Sequence, residues 1–251
     1  YALATQILEK LVDLYPIKML QPLAEPAIYG KYDETRQNKA LNRMFEFLYK
    51  ANNLLGCMTV AIFIPLGRDL LSLFFTQEYA MDAYWPLSVF MLTIVFYSMG
   101  FGMVAKAIER PHILLWSKLA VIANIVLGVP LAMQYGAVGM AVASAVSIIL
   151  KNGIIYLLVR RYVDLQIPWN ATVKCILNTV ITVLILCVMK TLPILHMHTG
   201  VMCLRLSILC VCGIAIYVAL SKTNNVFTVE QRDLVCSLVP KKVRGIVSAV
   251  V

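Results

Sequence analysis

Gln6, Glu9, Lys10, Asp13 and Lys18 interrupt an opening run that is otherwise built of Leu, Ile, Ala, Val and Tyr. On a helix the first four share one face through i,i+3 and i,i+4 steps, so Lys10 can pair with Asp13 while Glu9 stands near both. A charge at bilayer depth costs about 2.5–3.5 kcal/mol even on lenient insertion scales unless it faces water, protein or a partner charge. That face is therefore expected to look into a wet cavity. A mutually satisfied ion cluster that only locks helix packing is the alternative. Lys18 lies nearer the end of the segment, where its stem could also snorkel to the headgroups.

Weaker candidates lie further on. Lys118 opens a later apolar run and Lys151 interrupts another, each close enough to an end to reach the interface, while Asn52, Asn53 and Asn124 could bridge helices by hydrogen bonds. No catalytic or metal-binding constellation accompanies them. His196-x-His198 has no Cys or acid arranged around it, and the chain carries no Gly-rich phosphate loop, nucleophile elbow or paired carboxylates flanking a loop, so no enzyme is expected. Asp69, Glu78 and Asp82 read as a solvated rim, and the cysteines as small apolar fillers. The Asn170-Ala171-Thr172 glycosylation pattern falls on the inner side and is a chance match.

The elements that must position these residues are transmembrane helices. Of the 251 residues 61% are hydrophobic, and the mean hydropathy is +0.80, beyond what a water-soluble core requires. Hydrocarbon admits only segments that satisfy their own backbone, and runs of about 20 apolar residues select helices. The chain is thus all-α, a polytopic bundle with spans at about 2–24, 47–66, 84–105, 113–133, 137–159, 173–192 and 202–220. Pro65 with Gly67, Glu109-Arg110-Pro111 and Gln134-Tyr135-Gly136 punctuate three of the gaps. In the fifth span Gly139, Ala143 and Ser147 recur every four residues, a spacing that suits a tight hairpin against the fourth.

Basic residues fall in alternate gaps: Lys31, Arg36, Lys39 and Arg43, then Lys106 and Arg110, then Arg160, Arg161 and Lys174, then the tail. Arg68 and Lys190 stand alone on the opposite side. The positive-inside rule places residue 1 outside and the carboxy terminus in the cytoplasm. The net charge of +9 is then topological, and no nucleic-acid partner is called for. The chain begins inside an apolar pattern without an initiator Met, so its start is expected to be missing. After the last span, Thr228-Val229-Glu230-Gln231 has a capping pattern, and Leu234, Val235 and Leu238 precede Lys241, Lys242 and Arg244, as in a short helix on an anionic membrane surface.

Tyr1-Ala2-Leu3-Ala4, the proline-marked exit through Pro22 and Pro26 into the charged loop 30–43, and the stretch from Asn124 to Gly139 resemble the carboxy-terminal half of polysaccharide flippases. These belong to the multidrug/oligosaccharidyl-lipid/polysaccharide exporter superfamily, which also holds lipid II flippases. The resemblance covers about residues 1–165, and the run at 228–232 looks like the family's tail. It implies a two-lobe protein of 12 to 14 helices, of which this chain is the second lobe and lacks its amino-terminal companion. Residues 1–165 would then be the lobe core, 166–222 two added helices and 223–251 a cytoplasmic amphipathic tail. The implied cargo is a polyprenyl-diphosphate-linked glycan for cell-surface polysaccharide, flipped across the plasma (inner) membrane by alternating access among membrane lipids. Lys10 and Lys18, with Gln6 beside them, stand where cavity cations are expected, and Lys118, Asn124 and Lys151 are lesser cavity candidates. Glu9 and Asp13 would tune the lysines or carry a coupling proton or sodium ion, with no other cofactor. The alternatives are an ion-coupled multidrug or metabolite extruder of the same superfamily, a seven-helix receptor and a membrane enzyme acting on lipid-linked sugars.

Overall fold

Pro65 and Gly67 do not end the second span. In the computed structural model, which describes residues 2–13, 39–97, 99–191 and 202–227, one helix runs from Lys39 to Phe74 with Pro65 inside it, and the chain turns only at Phe75 and Thr76. At 1.5 Å per residue those 36 residues extend about 54 Å, well beyond a hydrocarbon layer of about 30 Å. The helix therefore carries its charged first turns out of the hydrocarbon.

We number the helices α1 (Ala2–Asp13), α2 (Lys39–Phe74), α3 (Gln77–Tyr97), α4 (Phe101–Ala107), α5 (His112–Ser117), α6 (Ala120–Val159), α7 (Trp169–Thr191) and α8 (Met202–Thr223). Among the described residues five stretches are long and apolar enough to cross a membrane. One of them, His112–Val159, folds back on itself at Gly136, where φ is 57° and ψ −135°, so the described residues supply six crossings besides the opening helix. The positive φ favours glycine there. Past the fold, Gly139 lets the second arm approach the first so closely that a Cβ would collide with the Leu131 carbonyl. Gly128 meets Met140 and Ala143 across the same seam, and Ala143, Ser144 and Ser147 are buried, so small residues do line the hairpin.

Two compact units emerge. The first takes residues 1–56 and 78–167, the second 57–77 and 168–251. In the first, Leu41, Phe45, Leu48 and Tyr49 of α2 pack with α4, Ile113, Ile155, Val159, Val163 and Leu165, and the Phe45 and Phe101 rings stack 5.5 Å apart. The third crossing breaks near Gly100 (φ 73°), separating α3 from α4, and Asn152 Nδ2 donates a 2.5 Å hydrogen bond to the Phe96 carbonyl beside the break. At the Glu109-Arg110-Pro111 turn, Glu109 has a φ of 56° and the Arg110 guanidinium lies 5.1 Å above the Tyr162 ring.

In the second unit Leu66, Leu186, Leu206 and Leu209 form the apolar centre. Polar groups lace it. Thr179 Oγ1 donates to the Cys57 and Cys175 carbonyls, Asn178 Nδ2 donates to Ser221 Oγ at 3.3 Å, and Asn224 Nδ2 donates to Asn178 Oδ1 at 2.5 Å. Asp69 is not a loop acid on a solvated rim. It stands within α2, because that helix continues past Pro65, and its carboxylate meets Lys190 Nζ at 2.7 Å. Lys190 Nζ also donates to the Pro65 carbonyl at 3.2 Å, and Arg205 donates to the Lys190 carbonyl at 3.0 Å.

Candidate functional site

Ala4, Leu8 and Val12 recur every four residues and form the buried stripe of α1, while Gln6, Glu9, Lys10 and Asp13 are exposed. Glu9 lies on the shoulder of that stripe. Together with Thr5 and Leu8 it lines a cleft of about 280 Å³ in the first unit, and Lys10, roughly 100° further round the helix, does not. Gln6 and Asp13 also lie outside the lining, and among the described residues no ion pair joins Lys10 to Asp13. Lys18, His196, His198 and the tail from Thr228 are outside the described residues.

The opposite walls come from α3 and the hairpin. Phe90 projects from α3, Ser117 from the end of α5, Lys118 from the turn that enters α6, Ala120, Val121 and Asn124 from its first arm, and Ser144, Ser147, Ile148 and Lys151 from its second. The antiparallel fold at Gly136 explains why residues this far apart in sequence meet, since the start of one arm lies beside the end of the other. Asn124 serves two ends: its Oδ1 accepts a hydrogen bond from Ser144 Oγ at 3.4 Å across the hairpin, and it lines the cleft. Ser147 is 8% exposed, and its Oγ has no hydrogen-bond partner among the described residues.

One carboxylate and two ammonium groups therefore face the same cleft, in walls otherwise made largely of apolar side chains. Glu9, Lys118 and Lys151 are all solvent-exposed, and none is in an ion pair among the described residues. Contrast Lys50, 6% exposed, which is held by Glu46 at 2.6 Å one turn earlier and so has its charge answered within its own helix. The cleft has a cationic excess on a hydrophobic background. Chemically, such a lining can hold an anionic group at its lysines and offers apolar surface to whatever is attached to that group. Thr5, Ser144 and Phe90 had no signal in the sequence that set them apart from packing residues, and Ser147 was read as packing within the hairpin; the register of the two arms, which brings Ser144 to Asn124, is what the spacing did not supply.

These features define an all-helical, multi-pass membrane bundle. No protein-family model and no curated protein matches the sequence. Among solved structures, the lipid II flippase MurJ in an inward closed conformation is similar, with a TM-score of 0.69 and 17% sequence identity over 92% of this chain and 46% of that one. This chain thus has the fold of about half of that protein. The likeness is one of fold.

Proposed function

We propose that this chain is the carboxy-terminal lobe of a flippase that moves a polyprenyl-diphosphate-linked oligosaccharide across the plasma membrane for cell-surface polysaccharide, by alternating access against an amino-terminal lobe. The observation that carries the proposal is the lysine couple, Lys118 and Lys151, in no ion pair among the described residues and lining an apolar-walled cleft within a fold shared with half of a lipid II flippase. A diphosphate crossing a bilayer needs cations along a wet path, whereas its prenyl chain can remain in hydrocarbon beside it. In this reading Lys118 and Lys151 hold the diphosphate and Asn124 helps to shape the site. Lys10 and Lys18, with Gln6 beside them, extend the cationic path, and Asp13 tunes those lysines or carries a coupling proton or sodium ion. Residues 1–165 form the lobe core and 166–222 two added helices. The amino end lies outside and the tail in the cytoplasm.

The test is binding of farnesyl diphosphate, a short soluble prenyl diphosphate, by the purified 251-residue chain in uncharged detergent, together with surface polysaccharide output in cells. Replacing Lys118 and Lys151 together by Gln is expected to remove diphosphate binding and to depress surface polysaccharide while leaving expression unchanged. Unaltered binding and output in that double variant would overturn the proposal. A cleft that instead prefers lipophilic organic cations would favour the drug-extruder reading.

A further inference from the structure

We infer that Glu9 is the resident counter-ion of the cleft: a carboxylate that answers the field of Lys118 and Lys151 while the site is empty and opposes the anionic head of the cargo once it has entered. The inference rests on the diphosphate reading above and adds to it what limits the affinity.

Three charged side chains line the cleft, and Glu9 is the carboxylate among them. Leu8, Phe90, Val121 and Ile148 make much of the remaining wall, while the three charged side chains are solvent-exposed, so they act on one another through a screened and modest field. Two ammonium groups there repel one another; a carboxylate opposite them lowers that cost and leaves an excess of one positive charge. The carboxylate does not close onto either lysine as an ion pair, so both cations stay available to a ligand. Its place on the wall is fixed, because Leu8 and Val12, each 2% exposed, anchor the rotation of α1 one residue before and three after. Gln6, Lys10 and Asp13 lie further round and leave the role to Glu9. A carrier must release what it binds, and two unopposed lysines against a diphosphate would hold it too long. The carboxylate shortens that residence.

Equilibrium and stopped-flow binding of farnesyl diphosphate and of uncharged farnesol, with the 251-residue chain in dodecyl maltoside, tests this. Glu9→Gln is expected to tighten farnesyl diphosphate binding by about three- to tenfold, the order of one screened charge interaction, mainly through slower dissociation. It should leave farnesol unchanged, and Glu9→Asp should behave as the unaltered protein. Thr5→Glu, which adds a second carboxylate to the same wall, should weaken diphosphate binding by a similar factor and keeps the test open if Glu9→Gln does not fold, as judged by helical circular dichroism and elution. Glu9→Gln binding that is equal or weaker, tightening of farnesol to the same extent, or an indifferent Thr5→Glu would overturn the counter-ion role while Lys118→Gln/Lys151→Gln still abolishes binding. If that double lysine variant binds farnesyl diphosphate normally, the diphosphate reading fails and the role of Glu9 falls with it.

Discussion

Gly139 holds the hairpin that carries most of the cleft, and replacing it by Ala tests that statement quantitatively. A Cβ at this position collides with the Leu131 carbonyl and lies 3.1 Å from Ala132 N, both backbone, so no side chain can swing aside and the two arms must separate. Overpacking of this kind costs about 1–3 kcal/mol, and a backbone wall places the expected value near 3. Removing a helix-interior glycine returns about 0.8–1.0 kcal/mol, leaving a net loss of about 2 kcal/mol. Gly153 is the internal control, because its Cβ would meet nothing within 4 Å and Gly153→Ala keeps only the gain. The two variants should therefore differ by about 3 kcal/mol in unfolding free energy, measured by circular dichroism in mixtures of mild and denaturing detergent. Separating the arms should also break the Asn124–Ser144 bond and weaken farnesyl diphosphate binding. Unfolding free energies for the two variants that agree within about 0.5 kcal/mol would refute the close-approach argument, since that is the scatter expected of unrelated surface changes.

Three further outcomes follow from particular contacts. A double-mutant cycle with Asp69→Asn and Lys190→Gln should give a coupling of about 0.5–1 kcal/mol that shrinks as salt is added, because the pair is only partly buried; coupling that ignores salt would show that packing, not charge, holds the contact. Asn178→Leu should destabilise the second unit by about 1–2 kcal/mol, since it strips Ser221 and Asn224 of a partner in a site where Asn178 itself is fully buried, and an unchanged unfolding midpoint would count against that network. Asn152→Ala should speed amide hydrogen exchange in the turn of α3 that ends at Phe96, whereas exchange identical to the unaltered protein would show that the bond does not restrain the break.

The six crossings from Lys39 onward were legible because hydrocarbon imposes one rule on every segment, and the runs that obey it stand out in a plain hydropathy reading; the expected first span, 2–24, lies partly outside the described residues. The hairpin at Gly136 and the turn at Glu109-Arg110-Pro111 were legible for the same reason, their breakers lying between apolar runs. Pro65 was misleading. A proline inside a membrane helix is tolerated when neighbouring groups meet the freed backbone, and a reading built on helix breakers ends the helix too early, which in turn put Asp69 in a loop and hid its pairing with Lys190. Lys118 and Lys151 were visible as charges near the ends of the expected hairpin, but snorkelling satisfies a lysine near a helix end equally well, and only the folded chain shows that both line one cleft. On α1 the polar face was read correctly as a face. What the spacing could not supply was its rotation against the rest of the first unit, and a single step of about 100° separates Glu9, which lines the cleft, from Lys10, which does not.

Because Lys118 stands in the turn just before one arm of the folded helix and Lys151 near the end of the other, the hairpin acts as a caliper that sets the gap between the two charges. Rocking or tilting of that element would carry both ammonium groups together without opening or closing the caliper. The grip on an anion would then be set by that fixed gap together with the carboxylate that α1 holds on the facing wall.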